Sequence, residues 1–219
     1  AINPDVFIEF RQKYTGPAMR KYGNMFRAFD CPGDAVMNRV RIADIRMLCG
    51  NTAVHADMIT WHPEEKVEVA ALQLVNIMFG VPQLSVKLRD CRKDELKMIG
   101  FFTKYWNEHA HILMEGDFRP SRPLANYPIQ KVVKDRFAII GVHDDFVVSL
   151  DRVTENIHFL NAQLTTEIAI KSLDDFGNFE GIIFDCQGAK VSEIEIELSK
   201  GVTLIEVPPC GMIQLKRTS

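Results

Sequence analysis

Two periodicities divide the chain. Up to about residue 115, short apolar runs alternate with stretches in which apolar side chains recur every three or four residues; beyond Pro128, apolar and polar residues alternate one for one. Residues 6–10 and 25–29 are apolar runs of strand length. Val36, Val40, Ala43 and Met47 then recur at helical spacing, giving a strand followed by a helix. A second extended segment covers residues 52–59. It leads into His62-Pro63-Glu64-Glu65, where proline at a first helical position and two acids in the first turn predict a helix start. Val67, Ala70, Ala71, Leu74, Val75 and Met78 make its buried stripe. Gly80 ends that helix, residues 81–88 are predicted to form another strand, and Leu96, Ile99, Phe102, Trp106, His109 and Leu113 line one face of a long helix.

Strands alternating with helices imply parallel pairing through right-handed crossovers. The period-two stretches after Pro128, clearest at Glu193-Ile194-Glu195-Ile196-Glu197-Leu198, predict an antiparallel β domain, a sandwich. Gly116, Pro120, Pro123 and Pro128 punctuate the polar stretch between the two patterns. The expected organisation is an α/β part over residues 1–117 and a β domain over 118–219. Roughly four strands and three or four helices in the first part fit an open sheet or half of a (β/α)8 barrel of about 250 residues, and periodicity does not choose between them.

Composition narrows the function classes. The 219 residues are 47% apolar and 25% charged, with 26 basic and 29 acidic side chains for a net charge of −3. The basic residues are spread along the chain and form no stripe for a phosphate backbone, so no nucleic-acid partner is expected. No apolar run approaches the roughly 20 residues that a membrane-crossing helix needs. The five cysteines are odd in number and widely spaced, which argues against a disulfide framework or a zinc site and suits a cytoplasmic setting. No cofactor or metal is expected. The sequence lacks G-x-S-x-G, G-x-x-x-x-G-K-[ST] and G-x-G-x-x-G, so serine hydrolase, nucleoside triphosphatase and dinucleotide-binding readings lose their usual support.

In parallel sheets, ligands bind beyond the carboxyl ends of the strands. Four places qualify: Arg11-Gln12, the stretch from Arg27 to Asp34, the stretch from His55 to His62, and residues 88–90. Asp30 follows an apolar strand and precedes a Cys-Pro-Gly turn, a placement suited to a general acid or to a turn aspartate bonding backbone amides. Asp34 reads as the cap of the next helix. Arg27 would orient a substrate oxygen or neutralise a neighbouring aspartate. His55 and Asp57, two apart on an extended segment, would grip hydroxyl groups; two ligands do not make a metal site. Trp61 would stack on a ring or pack into the core. His109 and His111 read as structural.

At these residues the chain resembles the carboxy-terminal part of an α-galactosidase (melibiase) of glycoside hydrolase family 36. The likeness is carried by Glu9-Phe10-Arg11-Gln12-Lys13-Tyr14, Tyr22-Gly23-Asn24-Met25-Phe26-Arg27, Asp30-Cys31-Pro32, Asn51-Thr52-Ala53-Val54-His55-Ala56-Asp57-Met58, Trp61-His62-Pro63-Glu64-Glu65 and Val81-Pro82-Gln83-Leu84-Ser85-Val86. The resemblance implies a retaining exo-glycosidase acting on terminal α-galactosides, with the second half of a (β/α)8 barrel followed by a β-sandwich. It assigns Asp30 as acid/base and places Arg27, His55, Asp57 and Trp61 around the sugar. The family nucleophile belongs to an earlier strand that has no counterpart here. The chain alone is therefore expected to be inactive or nearly so, and to self-associate or pair with a missing amino-terminal half. The alternative is a non-catalytic carbohydrate-binding or assembly module.

Overall fold

The computed structural model describes residues 3, 6–10, 16–50, 52–152 and 154–218. The candidate pair Arg11-Gln12 lies outside the described residues. Three short strands, β1 (Glu9–Phe10), β2 (Met25–Arg27) and β3 (Ala53–His55), pair in parallel in chain order. Between β2 and β3 runs α1 (Ala35–Cys49); after β3 come α2 (Val67–Asn76) and the long α3 (Lys93–Glu115). Asp34 caps α1 as expected, its side chain accepting from the Met37 amide at 2.9 Å. Gly50 closes α1 at φ +57°, a conformation that an added Cβ would strain.

The stripe expected on α1 is displaced. Val36 and Met47 are exposed, whereas Ala35, Asn38, Arg39, Ile42, Ala43, Ile45, Arg46 and Cys49 are buried. Two arginines thus sit on the inward face. Arg39 donates to Asn76 Oδ1 at 2.6 Å and, through Nε and Nη2, to the Asn126 carbonyl at 3.0 and 2.9 Å. Arg46 donates to the carbonyls of Phe79 and, at 2.7 Å, Leu113, while its guanidinium lies 4.0 Å from the centre of the Phe118 ring. Burial pushes the pKa of each guanidinium down to about 10.

Two further expectations are corrected. The second helix starts at Val67 rather than at Pro63, because the Pro63 and Glu65 carbonyls accept from the Arg92 guanidinium instead of closing a helical turn. Its stripe nevertheless holds: Val67, Ala70, Ala71, Leu74, Val75 and Met78 are all buried. Residues 81–88 do not form a continuous strand. They touch the β3 segment at two parallel bridges, His55 with Val81 and Ile59 with Leu84, separated by Pro82, which has no amide hydrogen to donate. On α3, Leu96 is exposed while Glu95, Met98 and Tyr105 join Ile99, Phe102 and Leu113 inside.

From α3 the chain enters a seven-stranded sheet. Its strands are β4 (Asp117–Pro120), β5 (Ile129–Lys134), β6 (Phe137–Val142), β8 (Asn156–Asn161), β10 (Asn178–Phe184), β11 (Lys190–Glu197) and β13 (Met212–Arg217), in the order β11-β10-β13-β8-β6-β5-β4. A three-stranded sheet, β12-β9-β7, is built from β7 (Val148–Leu150), β9 (Glu167–Ser172) and β12 (Gly201–Glu206). The two share a core that includes Val133, Ile140, Phe159, Ile170 and Ile213. Part of the large sheet is apolar on both faces. Val132, Ile139, Leu160 and Met212, one residue away from inward-facing neighbours, pack instead with α2 and α3.

The expected purely antiparallel sandwich is mixed: β6 pairs β8 in parallel, and β7 pairs β9 in parallel. The reason lies in the connections. The chain leaves β6 for the other sheet as β7 and then returns as β8, so adjacent strands are joined by a crossover rather than a hairpin. None of the described helices is long and apolar enough to cross a membrane.

Two buried histidines make the fold sensitive to acid. Burial lowers the pKa of His158 to about 3 and that of His143 well below its usual value. Free imidazole titrates near 6.5, so below that pH the unfolded chain binds protons that the folded chain refuses. Their contribution to stability is complete above about pH 6.5. For His158 it should fall with decreasing pH by roughly 1.4 kcal/mol per unit, and His143 adds in the same direction. Urea unfolding between pH 7 and 5 is expected to show this slope, and His158→Gln should reduce it. Arg46→Ala strands two buried carbonyls and should cost about 3 kcal/mol in the same assay.

Candidate functional site

The parallel strands bring four of the five sequence-chosen residues to one end. Arg27 closes β2 and His55 closes β3, with Asp30 and Asp57 in the loops that follow and Glu9 on β1 beside them. Arg27, Asp30, His55 and Asp57 stand at or just past the carboxyl ends of their strands, where the parallel arrangement directs backbone into loops rather than into further pairing, while Glu9 opens β1.

Asp30 is the outermost member, its side chain 83% exposed and ion-paired to the Arg27 guanidinium. Arg27 is buried beneath it, with Nη1 3.7 Å from Asp57 Oδ1. Asp57 is 3% exposed and is held on two sides: its Oδ2 accepts from the Cys31 amide at 2.6 Å, and its own amide donates to Asn38 Oδ1 at 3.0 Å. One arginine thus sits between an outer and an inner carboxylate. Its Nε has no hydrogen-bond partner among the described residues. The Cys31 thiol rests 2.8 Å from the Phe29 carbonyl, and burial pushes its pKa up to about 11, so it is no nucleophile at neutral pH.

His55, 1% exposed, shares a 2.9 Å hydrogen bond between Nε2 and Glu9 Oε2, and its Nδ1 lies 2.9 Å from the Ala56 carbonyl. The ring thus lies between the Ala56 carbonyl and the Glu9 carboxylate, one at each nitrogen. Trp61 stands apart from this group. Its indole N–H donates to Glu95 Oε1 at 2.9 Å, and its ring lines a pocket of about 220 Å3 with Thr60, Pro63, Asp90 and Cys91. Among the described residues no group of three or more metal-ligating side chains is found.

Two members of the cluster were not singled out by sequence. Glu9 sits in a run that reads simply as a strand, and Asn38 lies on a helix face where an amide looks like a surface residue. The signal for Asn38 was spacing: it falls four residues before Ile42 and seven before Ile45, on the face that is buried. His109 is structural as expected, stacked on Tyr105 with ring centres 4.3 Å apart and Nδ1 2.9 Å from the Tyr105 carbonyl.

The two aspartates should therefore respond differently to substitution. Asp57→Ala leaves the Cys31 amide without its acceptor and removes the inner partner of a buried guanidinium, so a loss of roughly 2–4 kcal/mol is expected. Asp30→Asn, at an exposed carboxylate, should stay within about 0.5 kcal/mol of the parent. Urea midpoints of the two variants check the contrast; equal losses would mean that Asp30 is held as firmly as Asp57.

No protein-family model and no curated protein sequence matches the chain. Among solved structures it is similar to CelM2, a bifunctional glucanase-xylanase from a metagenome library, with a TM-score of 0.42 and 7% identity over 88% of this chain and 43% of that one. It is also similar to a glucosidase from Croceicoccus marinus, with a TM-score of 0.43 and 11% identity over 97% of this chain and 60% of that one. The chain thus spans less than two thirds of either protein, and the chemistry of its site rests on its own geometry.

Proposed function

We propose that the chain is the carboxy-terminal portion of a retaining exo-α-galactosidase, with residues 1–117 supplying the second half of a (β/α)8 barrel and residues 118–219 the β domain behind it. The observation that carries this reading is Asp30. An exposed carboxylate stands at the carboxyl end of a parallel strand, oriented by a buried arginine that a second, buried aspartate holds in turn.

In this reading Asp30 gives its proton to the glycosidic oxygen as the aglycone leaves. The carboxylate so formed later takes a proton from the water that attacks the glycosyl–enzyme intermediate. The nucleophilic carboxylate comes from outside this chain and must approach to about 5–5.5 Å of Asp30 for retention. Arg27, His55 and Asp57 are almost fully buried, so their part is to fix the rim and the direction of Asp30, with narrow contact to sugar hydroxyls. Trp61, which lines a separate pocket beside Glu95, is left outside this rim.

The outer edge of β1 has no neighbouring strand among the described residues, and Val6, Phe7 and Ile8 beside it are exposed, Phe7 to 78%. An uncovered parallel edge with apolar neighbours suits pairing with an amino-terminal half or a second copy.

The 219-residue chain alone should not turn over an aryl α-galactoside. In the longest native polypeptide that contains it, Asp30→Asn should lower turnover 10²- to 10⁴-fold. Added azide should restore activity and yield galactosyl azide, since the azide anion attacks the glycosyl–enzyme intermediate in place of water, releasing the enzyme carboxylate without needing a general base. Unchanged turnover in the variant, or robust hydrolysis by the isolated chain, would overturn the assignment.

A further inference from the structure

The opening between the two sheets of the β domain shares no residue with the Arg27 cluster. β11 is the outermost strand of the large sheet and β12 the outermost strand of the small one; each has an edge unpaired among the described residues, and both border one opening. Between them runs a groove of about 590 Å3, lined by Ile183, Val191, Ile194, Ile196, Leu204 and Ile205. Val191 and Leu204 are more than half exposed. A sandwich normally closes such a mouth or blunts its edges.

The charge around the groove selects its occupant. β11 points Glu193, Glu195 and Glu197 away from the core while Ile194 and Ile196 point toward it. On each edge strand one glutamate stands directly opposite another: Glu195 faces Glu180 across β11 and β10, and Glu206 faces Glu167 across β12 and β9. Like charges so placed destabilise a sheet. Lys190 is ion-paired to Glu193, but Glu195 and Glu206 have no cationic partner among the described residues. A second copy of this chain would bring its own carboxylates to the same edge.

We propose that this groove binds an extended cationic peptide segment, with alternating apolar and basic residues, as an added strand along β11. Its apolar side chains enter the groove over Ile194, Ile196 and Leu204. Its basic side chains stand beside Glu193, Glu195 and Glu197, and its backbone completes the open edge. The eight residues of β11 set the length of the segment.

The test is fluorescence anisotropy with a labelled octapeptide alternating lysine and valine. Three comparisons accompany it: an alternating glutamate–valine peptide, a peptide of four lysines followed by four valines, and the triple variant E193K/E195K/E197K, whose changes are all at exposed positions. Saturable binding of the alternating lysine peptide is expected, at least tenfold tighter than either control peptide. The triple variant should lose that binding tenfold or more and gain affinity for the glutamate–valine peptide. Equal binding of the alternating and block lysine peptides would reduce the effect to charge alone and overturn the added strand, as would no binding at all. A concentration-dependent dimer in sedimentation that the triple variant abolishes would place a second copy in the groove and likewise overturn the proposal.

Discussion

The fold is fastened at Arg46. A guanidinium buried with no carboxylate partner among the described residues would be costly in isolation, since desolvating such an ion takes several kcal/mol. The cost is offset by the carbonyls of Phe79 and Leu113 and by the face of Phe118, which lies against the positive charge. Those partners belong to the segment after α2, to the end of α3 and to β4. One side chain of α1 therefore joins the parallel strands to the large sheet. Arg39, seven residues earlier on the same face, repeats the device with Asn76 and the Asn126 carbonyl. Gly80 completes the junction: a Cβ there would lie 2.9 Å from the Val54 carbonyl and 3.0 Å from Ile42.

This constraint also explains which parts of the fold were legible in the sequence. Where burial is apolar the pattern reads directly: the α2 stripe from Val67 to Met78 is buried as spaced, and the alternation around Ile194 and Ile196 puts acids outside and aliphatics inside. Where burial is polar the pattern misleads. The inward face of α1 holds Asn38, Arg39 and Arg46, residue types that ordinarily mark a solvated face, and so the exposed Val36 and Met47 looked like the stripe. The start of α2 failed for a similar reason. Pro63 and the acids after it form a helix-start signal, yet Arg92, distant in sequence, takes the carbonyls that a first turn would have used. Long-range hydrogen bonds leave no trace in a local window.

The candidate site follows the same rule. Arg27, Asp30, His55 and Asp57 were found because position alone, just past the ends of parallel strands, singles them out. The direction of support between them was not legible. Asp57 looks like a partner for a ligand, but its carboxylate is spent on the Cys31 amide and Arg27, and Asn38 anchors its backbone from α1. The buried members therefore define where the exposed member, Asp30, can stand. Glu9 reaches His55 across the intervening β2, a contact that depends on the order of three strands and is invisible until that order is known.

The order of the large sheet separates the acidic groove from the Arg46 junction. β4, fastened to α1 through Phe118 and Arg46, is one end of that sheet, and β11, which borders the acidic groove, is the other. Six strand spacings of about 4.8 Å place these edges about 29 Å apart. Between them one face is sealed by the smaller sheet, while the other packs with α3 at β5 and β6 and carries Glu180, Gln214 and Lys216 toward β11. An interior packed in this way transmits position but offers no titratable path from one end to the other. A buried titratable pair near its middle is the contact of Tyr105 with His158 at 3.0 Å, and burial keeps both of those groups neutral at physiological pH. The groove at β11 thus lies well beyond the roughly 10 Å over which charge acts through salt from the β4 edge, and a change of charge in the groove leaves the Arg46 junction almost untouched.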